Sequence, residues 1–203
     1  MTERGKFIVL YGANNLGKST QVELLVKPLR GLLPSVESLK YPVYRLGPTG
    51  PILNAALREG LVISDLELQR QFAKNRRDYE PRLKVMLENG TWVIGEDYTG
   101  TGIAWGMTHG ISRDVMEKMN KELLREDLAI LLDGERFTRG IERGHRHEES
   151  YVDWALSRKI HLELSERYGW KVVDALGSPE QVHRRVVDII KQELSVAQRK
   201  EEK

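Results

Sequence analysis

The chain has 203 residues, with 32 Lys and Arg against 30 Asp and Glu, a length that favours one domain whose core needs neither disulfides nor a structural metal. It has no cysteine, which excludes disulfides, thiolate catalysis and cysteine-ligated zinc and fits a reducing, cytoplasmic setting. A net charge of +2 provides no global field toward nucleic acid or membrane, the apolar runs are only strand-sized, and Met1–Lys6 lacks the apolar core of a signal peptide, so the expected partners are small molecules and anion recognition has to be local.

The first apolar run, Phe7–Tyr11, breaks into Gly12-Ala13-Asn14-Asn15-Leu16-Gly17-Lys18-Ser19 and resumes as a helical pattern over Lys18–Leu32. G-x-x-x-x-G-K-S between a strand and a helix is a phosphate-binding loop. Gly12 and Gly17 let successive backbone N–H groups converge on one anion, and Lys18 carries a mobile charge to the β- and γ-phosphates. Ser19 offers a hydroxyl to Mg²⁺ while the helix directs its positive end at the same place. Gly12, Asn15, Gly17, Lys18, Ser19 and Thr20 are therefore expected to hold ATP and its Mg²⁺.

Four more β-branched, apolar runs follow, Val36–Tyr41, Thr91–Glu96, Leu128–Asp133 and Trp170–Asp174. Helical patterns separate them at Pro51–Glu59, Asp65–Asn89, Ile111–Arg125, Ser150–Tyr168 and Ser178–Gln198. Buried strands alternating with helices predict an α/β protein: a five-stranded parallel sheet with helices on both faces, the three-layer P-loop NTPase fold, over residues 1–203 as one kinase domain. Pro81 should kink or interrupt its helix, Gly90 and Gly169 stand where helix C-caps belong, and Ser178-Pro179-Glu180-Gln181 reads as a capped start. The charged tail from Gln198 is expected to fray. In open sheets of this kind the ligand lies beyond the carboxyl ends of the strands.

Three further groups fall at that edge. Phe72, Asn75 and Arg76 share one helical face, where a ring and a fork of donors can stack on a base and bond its edge; the competing reading is a core Phe with a snorkelling Arg. Glu96 and Asp97 end the third strand, where carboxylates can hold Mg²⁺ or accept a proton, or simply meet solvent. Arg136, Arg139, Arg143 and Arg146 would form one positive stripe on a helix, with Glu135 and Glu142 as ion-pair partners, but Gly134, Gly140 and Gly144 favour a mobile lid over about 134–150. His145 and His147 lack a clear third ligand for a metal.

With these motifs in order, the chain resembles the thymidylate kinase family of P-loop nucleoside monophosphate kinases. The resemblance implies that Arg45, in Tyr41-Pro42-Val43-Tyr44-Arg45, reaches the acceptor phosphate, and that Phe72 and Arg76, in F-x-x-N-R, stack on thymine and bond its edge. It places Tyr98, Thr101, Ala104 and Trp105 in the family's D-R-Y-x-x-S-x-x-A-[FY], with the last aromatic against the sugar 2′ position. It further implies an adenine-side loop within Asp174–Val182, lid arginines supplying the catalytic positive charge, and a homodimer. The chain departs from the family at Tyr11, where Glu is usual, and at Asn14, where an acid meets the sugar 3′-hydroxyl.

A larger departure is Glu96-Asp97 in place of Asp-Arg. A carboxylate within about 5 Å of a dianionic phosphate costs on the order of a few kcal/mol at an effective dielectric near 20. The leading expectation is phosphoryl transfer from ATP to dTMP, whose ionised acceptor oxygen needs no base. A nucleoside kinase using Glu96 or Asp97 as base, and a nucleotide-binding module without transfer chemistry, are the alternatives.

Overall fold

The strands and helices form in that order in a computed structural model that describes residues 3–29, 35–137 and 150–201. The strands are β1 (Phe7–Tyr11), β2 (Val36–Lys40), β3 (Trp92–Glu96), β4 (Leu128–Asp133) and β5 (Lys171–Asp174), all parallel, in the spatial order β2-β3-β1-β4-β5. The helices are α1 (Lys18–Leu29), α2 (Thr49–Arg58), α3 (Asp65–Glu88), α4 (Thr99–Thr108), α5 (Arg113–Asn120), α6 (Tyr151–Tyr168) and α7 (Pro179–Glu201).

The two-residue period of the strands sorts their side chains into two cores. Ile8 and Leu10 of β1, Ile94 of β3 and Ile130 and Leu132 of β4 pack with Leu25 and Val26 of α1 and Val182, Val186 and Ile190 of α7. Phe7, Val9 and Tyr11 point the other way, onto Leu83 and Leu87 of α3, Ile103 and Ala104 of α4, and Ile160 and Leu164 of α6. Every residue of β1 is fully buried, which explains an apolar run without alternation. Each such side chain contributes about 1.5–3 kcal/mol of transfer free energy, so the central strand is held from both faces.

Register then sets the site. Leu10 pairs with Glu96, and Glu96 with Lys40, so the carboxyl ends of β1, β3 and β2 lie side by side beneath the phosphate-binding loop. Tyr41 N–H donates to the Glu96 carbonyl at 3.0 Å and Asp97 N–H to that of Leu10 at 3.2 Å, carrying the alignment past the strand tips.

Where expectation and structure differ, the cause is local. The stretch after β3 is the ten-residue helix α4, which four threonines and glycines at its start conceal, because glycine disfavours helix by about 1 kcal/mol. Close packing overrides that cost: a Cβ on Gly100 would lie 2.4 Å from Trp170, and one on Gly106 2.4 Å from the Met116 sulfur. The helix expected over Ile111–Arg125 stops at Asn120, since Lys121 is extended and Glu122 is left-handed with φ 71°. α3 runs unbroken through Pro81, its following turns pinned by buried Leu83 and Leu87. α1 ends at Leu29, and the rest of its expected span reaches residues 30–34, outside the described ones. The helical bounds of α7 reach Glu201, past the start of the charged tail at Gln198.

The predicted caps are present. Ser178 and Gln181 form a reciprocal capping box, Ser178 N–H donating to Gln181 Oε1 at 2.8 Å and Gln181 N–H to Ser178 Oγ at 3.4 Å. Gly169 ends α6 in the left-handed region that closes a helix, and Gly90, also at positive φ, follows the Asn89 cap of α3. Among the described residues no helix is long and apolar enough to cross a membrane.

Candidate active site

The phosphate-binding loop turns where its glycines allow. Gly12 has φ 145°, and a Cβ there would lie 2.7 Å from the Leu132 carbonyl oxygen, so the first glycine is required by both conformation and space. Gly17, at φ 81°, opens α1, which begins at Lys18. Lys18 is buried, and its Nζ donates to the carbonyls of Gly12 at 2.8 Å and Ala13 at 3.0 Å, with Asp97 Oδ1 at 3.6 Å. The ammonium is thus coiled back over its own loop.

The loop is also held from outside its own sequence. Trp154 of α6 donates its indole N–H to the Asn14 carbonyl at 2.7 Å, Phe137 N–H donates to the Asn15 carbonyl at 2.9 Å, and Asn15 takes the left-handed φ of 62°. Two turns further along α6, His161 is buried. Its Nδ1 lies 2.8 Å from the Ser157 carbonyl, while burial, with Lys18 adding to it, pushes its pKa down to about 4. The imidazole is therefore neutral at ordinary pH and puts no positive charge beside Lys18.

Beside Lys18 lies a cluster built from the first turn of α1 and the ends of β2 and β3. Ser19 Oγ donates to Glu96 Oε1 at 2.8 Å, and Lys40 Nζ donates to the same oxygen at 2.8 Å. Burial alone would lower the Lys40 ammonium; the facing Glu96 carboxylate outweighs it and raises its pKa. Asp97, left-handed at φ 60°, accepts from Thr101 Oγ1 at 2.8 Å. Hard oxygens from a hydroxyl and two carboxylates suit Mg²⁺, which keeps waters and substrate phosphates as its other ligands. Among the described residues there is no group of three or more His, Cys, Asp or Glu side chains placed to hold a metal ion.

A cavity of about 340 Å³ runs from this cluster along α3 and α4. Its wall includes Asn14, Asn15, Gly17, Lys18, Ser19, Thr20, Phe72, Arg76, Glu96, Asp97, Thr101 and Trp105, so most of the expected site residues meet in one space. Phe72 and Arg76 lie on one face of α3, with the guanidinium 6.0 Å from the ring centroid. Arg76 does not snorkel: it is 3 % exposed, and burial depresses its pKa, partly offset by the rings of Tyr98, Tyr11 and Tyr41. Its Nη1 donates to Asn120 Oδ1 at 3.0 Å.

Two expected residues stand elsewhere. Tyr98 is fully buried behind the cavity, edge-on to Phe7 with ring centroids 5.1 Å apart. Arg45 is exposed and outside the cavity wall, whereas its neighbour Tyr44 lines it with Arg58, whose guanidinium sits 4.7 Å over the Tyr44 ring. Asn75, read with Phe72 and Arg76 as a base-facing donor, turns the other way. Its side chain accepts from Val43 N–H at 2.8 Å and donates to the Val43 carbonyl at 3.1 Å and to Thr49 Oγ1 at 2.9 Å, fastening the segment that carries Tyr44 and Arg45. Tyr11, the departure in β1, is structural: it stacks on Trp170 at 4.3 Å and donates to Glu126 Oε1 at 3.0 Å.

Lys40, Arg58, Gln69 and Asn120 were not marked by any motif, and Tyr44 stood in one that pointed to Arg45. Arg139, Arg143 and Arg146, with His145 and His147, lie outside the described residues; Arg136 lies 5.9 Å from the Trp154 ring centroid. A second cavity, about 520 Å³, opens on the other side of Gly17 and Thr20, walled by Leu16, Arg136, Phe137, Ala175, Gly177, Pro179 and Val182. The phosphate-binding loop therefore separates two pockets, one with paired carboxylates and a stacking face, the other apolar.

The model of the family described as thymidylate kinase matches residues 10–186. The chain is 30 % identical to a thymidylate kinase of Synechococcus sp. (strain RCC307), covering 96 % of this chain and 99 % of that one. It is 29 % identical to one of Dictyostelium discoideum, covering 98 % and 90 %. The solved thymidylate kinase of Candida albicans shares the fold at a TM-score of 0.80 and 21 % identity, over 95 % of this chain and 93 % of that one. That of Ehrlichia chaffeensis does so at 0.75 and 18 %, over 93 % and 99 %. From the phosphate-binding loop through β5 and into the last helix, this chain belongs to the thymidylate kinase family.

Proposed function

We propose that the protein transfers the γ-phosphoryl group of ATP to dTMP, releasing dTDP and ADP. The observation that carries this reading is the cavity that joins the phosphate-binding loop to Phe72, Arg76 and Trp105. Its described lining sets four cations, Lys18, Lys40, Arg58 and Arg76, against two carboxylates, Glu96 and Asp97, so it favours an anionic acceptor despite Asp97. An ionised phosphate oxygen of dTMP attacks the γ-phosphorus; that P–O bond forms as the bond to the β-bridging oxygen breaks, and no general base is needed. Catalysis is then positioning plus charge neutralisation.

In this reading the loop amides and Lys18 hold the donor phosphates, and the adenine enters the apolar cavity beside Pro179 and Val182. Ser19 and, through water, Glu96 would hold Mg²⁺, which would supply charge neutralisation at the donor phosphates. Arg45 and Arg58 are the arginines proposed for the acceptor phosphate, with Phe72 and Arg76 on the base, Thr101 and Asn14 near the sugar, and Trp105 at its 2′ edge. Tyr98 supports α4 from behind, and Arg139, Arg143 and Arg146 are proposed to close over the transferring group. Residues 1–203 act as one kinase unit, cytoplasmic and homodimeric, with no nucleic-acid or membrane partner.

ADP release with ATP and Mg²⁺ is expected to be fastest on dTMP, slow on thymidine and negligible without acceptor. Asp97, whose carboxylate already accepts a hydrogen bond from the Thr101 hydroxyl, is the observation favouring a hydroxyl acceptor instead. Faster turnover on thymidine would replace the monophosphate reading with a nucleoside kinase, and tight ATP binding with no acceptor-dependent release would leave a binding module. A sedimentation mass of one chain would remove the homodimer.

A further inference from the structure

Arg76 is a buried cation with one hydrogen bond among the described residues. Its Nη1 donates to Asn120 Oδ1 at 3.0 Å, and its Nε is buried without a partner. Asn120, 7 % exposed, is the last residue of α5, on a different element and far along the chain from Arg76. The Asn120 amide is itself fixed, because its Nδ2 donates to the Met116 carbonyl at 2.9 Å, which turns Oδ1 toward the guanidinium. On the opposite side, Gly102 leaves room for the guanidinium: a Cβ there would lie 2.6 Å from Nη2 and 2.9 Å from Nη1.

A guanidinium has a rigid planar fork, so holding one arm fixes the direction of the others. With Nη1 engaged, the Nη2 arm stays against Gly102, which lines the cavity. From this we propose that Asn120 is a positioning residue for acceptor selection, holding Arg76 so that its remaining arm meets a ring carbonyl. The inference rests on the monophosphate kinase reading. A base that presents a keto oxygen there satisfies the arm, whereas an exocyclic amine sets donor against donor and leaves a buried charge unpaired. The site therefore selects a keto pyrimidine over an amino pyrimidine, and it does so through a residue outside every family motif in this chain.

The test compares wild type, Asn120→Ala and Asn120→Asp on dTMP and dCMP. Asn120→Ala is expected to raise KM for dTMP about tenfold with kcat within about twofold, and to narrow the dTMP-over-dCMP preference several-fold. Asn120→Asp keeps an accepting oxygen for the guanidinium but loses the donor to the Met116 carbonyl, so it should restore both in part. In an Arg76→Ala background, Asn120→Ala should add no further change in KM, because its effect passes through that guanidinium. An unchanged KM and base preference in Asn120→Ala, a loss confined to kcat, or an Asn120→Asp no better than the Ala variant would each overturn the proposal. If the Ala variant does not fold, Asn120→Ser carries the same outcomes. A wild type inactive on dTMP would sink the functional reading instead, and is distinguished by that first measurement.

Discussion

At the donor end one unbroken stretch, Gly12 to Ser19, supplies the turn, the ammonium and the hydroxyl, with α1 following directly. At the acceptor end Lys40, Tyr44, Arg58, Phe72, Arg76, Thr101 and Trp105 arrive from β2, the loop after it, α2, α3 and α4. The contrast follows from the ligands. A polyphosphate is recognised largely by backbone N–H groups, which a short glycine-bearing turn can aim by itself. A nucleotide acceptor presents a base, a sugar and a phosphate in different directions, so its partners have to come from several elements.

The largest test of this contrast is Lys18→Ala. The ammonium is the loop's one buried cation, already held over the strand tips by the carbonyls of Gly12 and Ala13. Removing it takes a charge from where charge develops in the transfer, and kcat should fall about 10²–10³-fold in steady-state ADP release, with the fold intact by circular dichroism. A near-normal kcat would mean that the donor end is not the local device described above.

The acceptor end should fail differently, through its scaffold. Asn75 is wholly buried and makes three hydrogen bonds to the segment after β2, so Asn75→Leu takes away the partner of the Val43 amide and of the Thr49 hydroxyl, while the Val43 carbonyl keeps the Leu46 N–H at 3.0 Å. Unmet buried groups cost about 1–3 kcal/mol each where no water reaches them, and partial relaxation makes a total near 3 kcal/mol the expected loss in urea unfolding. KM for dTMP should rise while KM for ATP stays put. A parallel rise in both would show that the two ends are one mechanical unit.

This asymmetry also decides what could be read without coordinates. The five strands and the phosphate-binding loop were legible because their signals are local: apolar runs of strand length, and glycines a fixed distance before Lys-Ser. α4 was not, because its glycines argue against a helix until Trp170, Met116 and the Arg76 guanidinium are packed against them. Phe72 and Arg76 could be named from spacing on one face, but the same spacing put Asn75 with them, and only the fold shows it facing Val43. Lys40, Arg58 and Asn120 carried no signal at all, since each matters only through a partner distant in sequence.

Even the donor end leans on distant residues, and pH exposes this. His161, buried near Lys18 and Asp133, has its pKa lowered to about 4 against an ordinary 6.5. The folded state therefore binds fewer protons than the unfolded one between those values. Its neutral form contributes full stability above about pH 6.5, and that stability is lost as pH falls toward 4. By linkage the loss reaches about 2 kcal/mol at pH 5 as an upper figure. Urea midpoints measured at pH 7.5 and 5.0 should differ more in wild type than in His161→Gln, which cannot titrate. Equal slopes would remove His161 from the acid response and leave it to carboxylates elsewhere.

The smallest expected effect separates motif from geometry at the acceptor phosphate. The family resemblance points to Arg45, yet Arg45 is exposed and outside the cavity wall, while Arg58 lines it with its guanidinium 4.7 Å over the Tyr44 ring. The Tyr44 ring holds the Arg58 guanidinium at the cavity wall, where its charge can meet a phosphate. Arg58→Ala should then raise KM for dTMP about tenfold, equivalent to ~1.4 kcal/mol, and Arg45→Ala about threefold or less, since an exposed pair is screened. On the resemblance, Asp97 stands where an arginine is expected, so the loss of any one remaining cation at the acceptor phosphate should show. The reverse ranking, Arg45 above Arg58, would mean that the loop after β2 swings inward when the acceptor binds, and that the acceptor end, like the donor end, is read better from its motif than from its resting geometry.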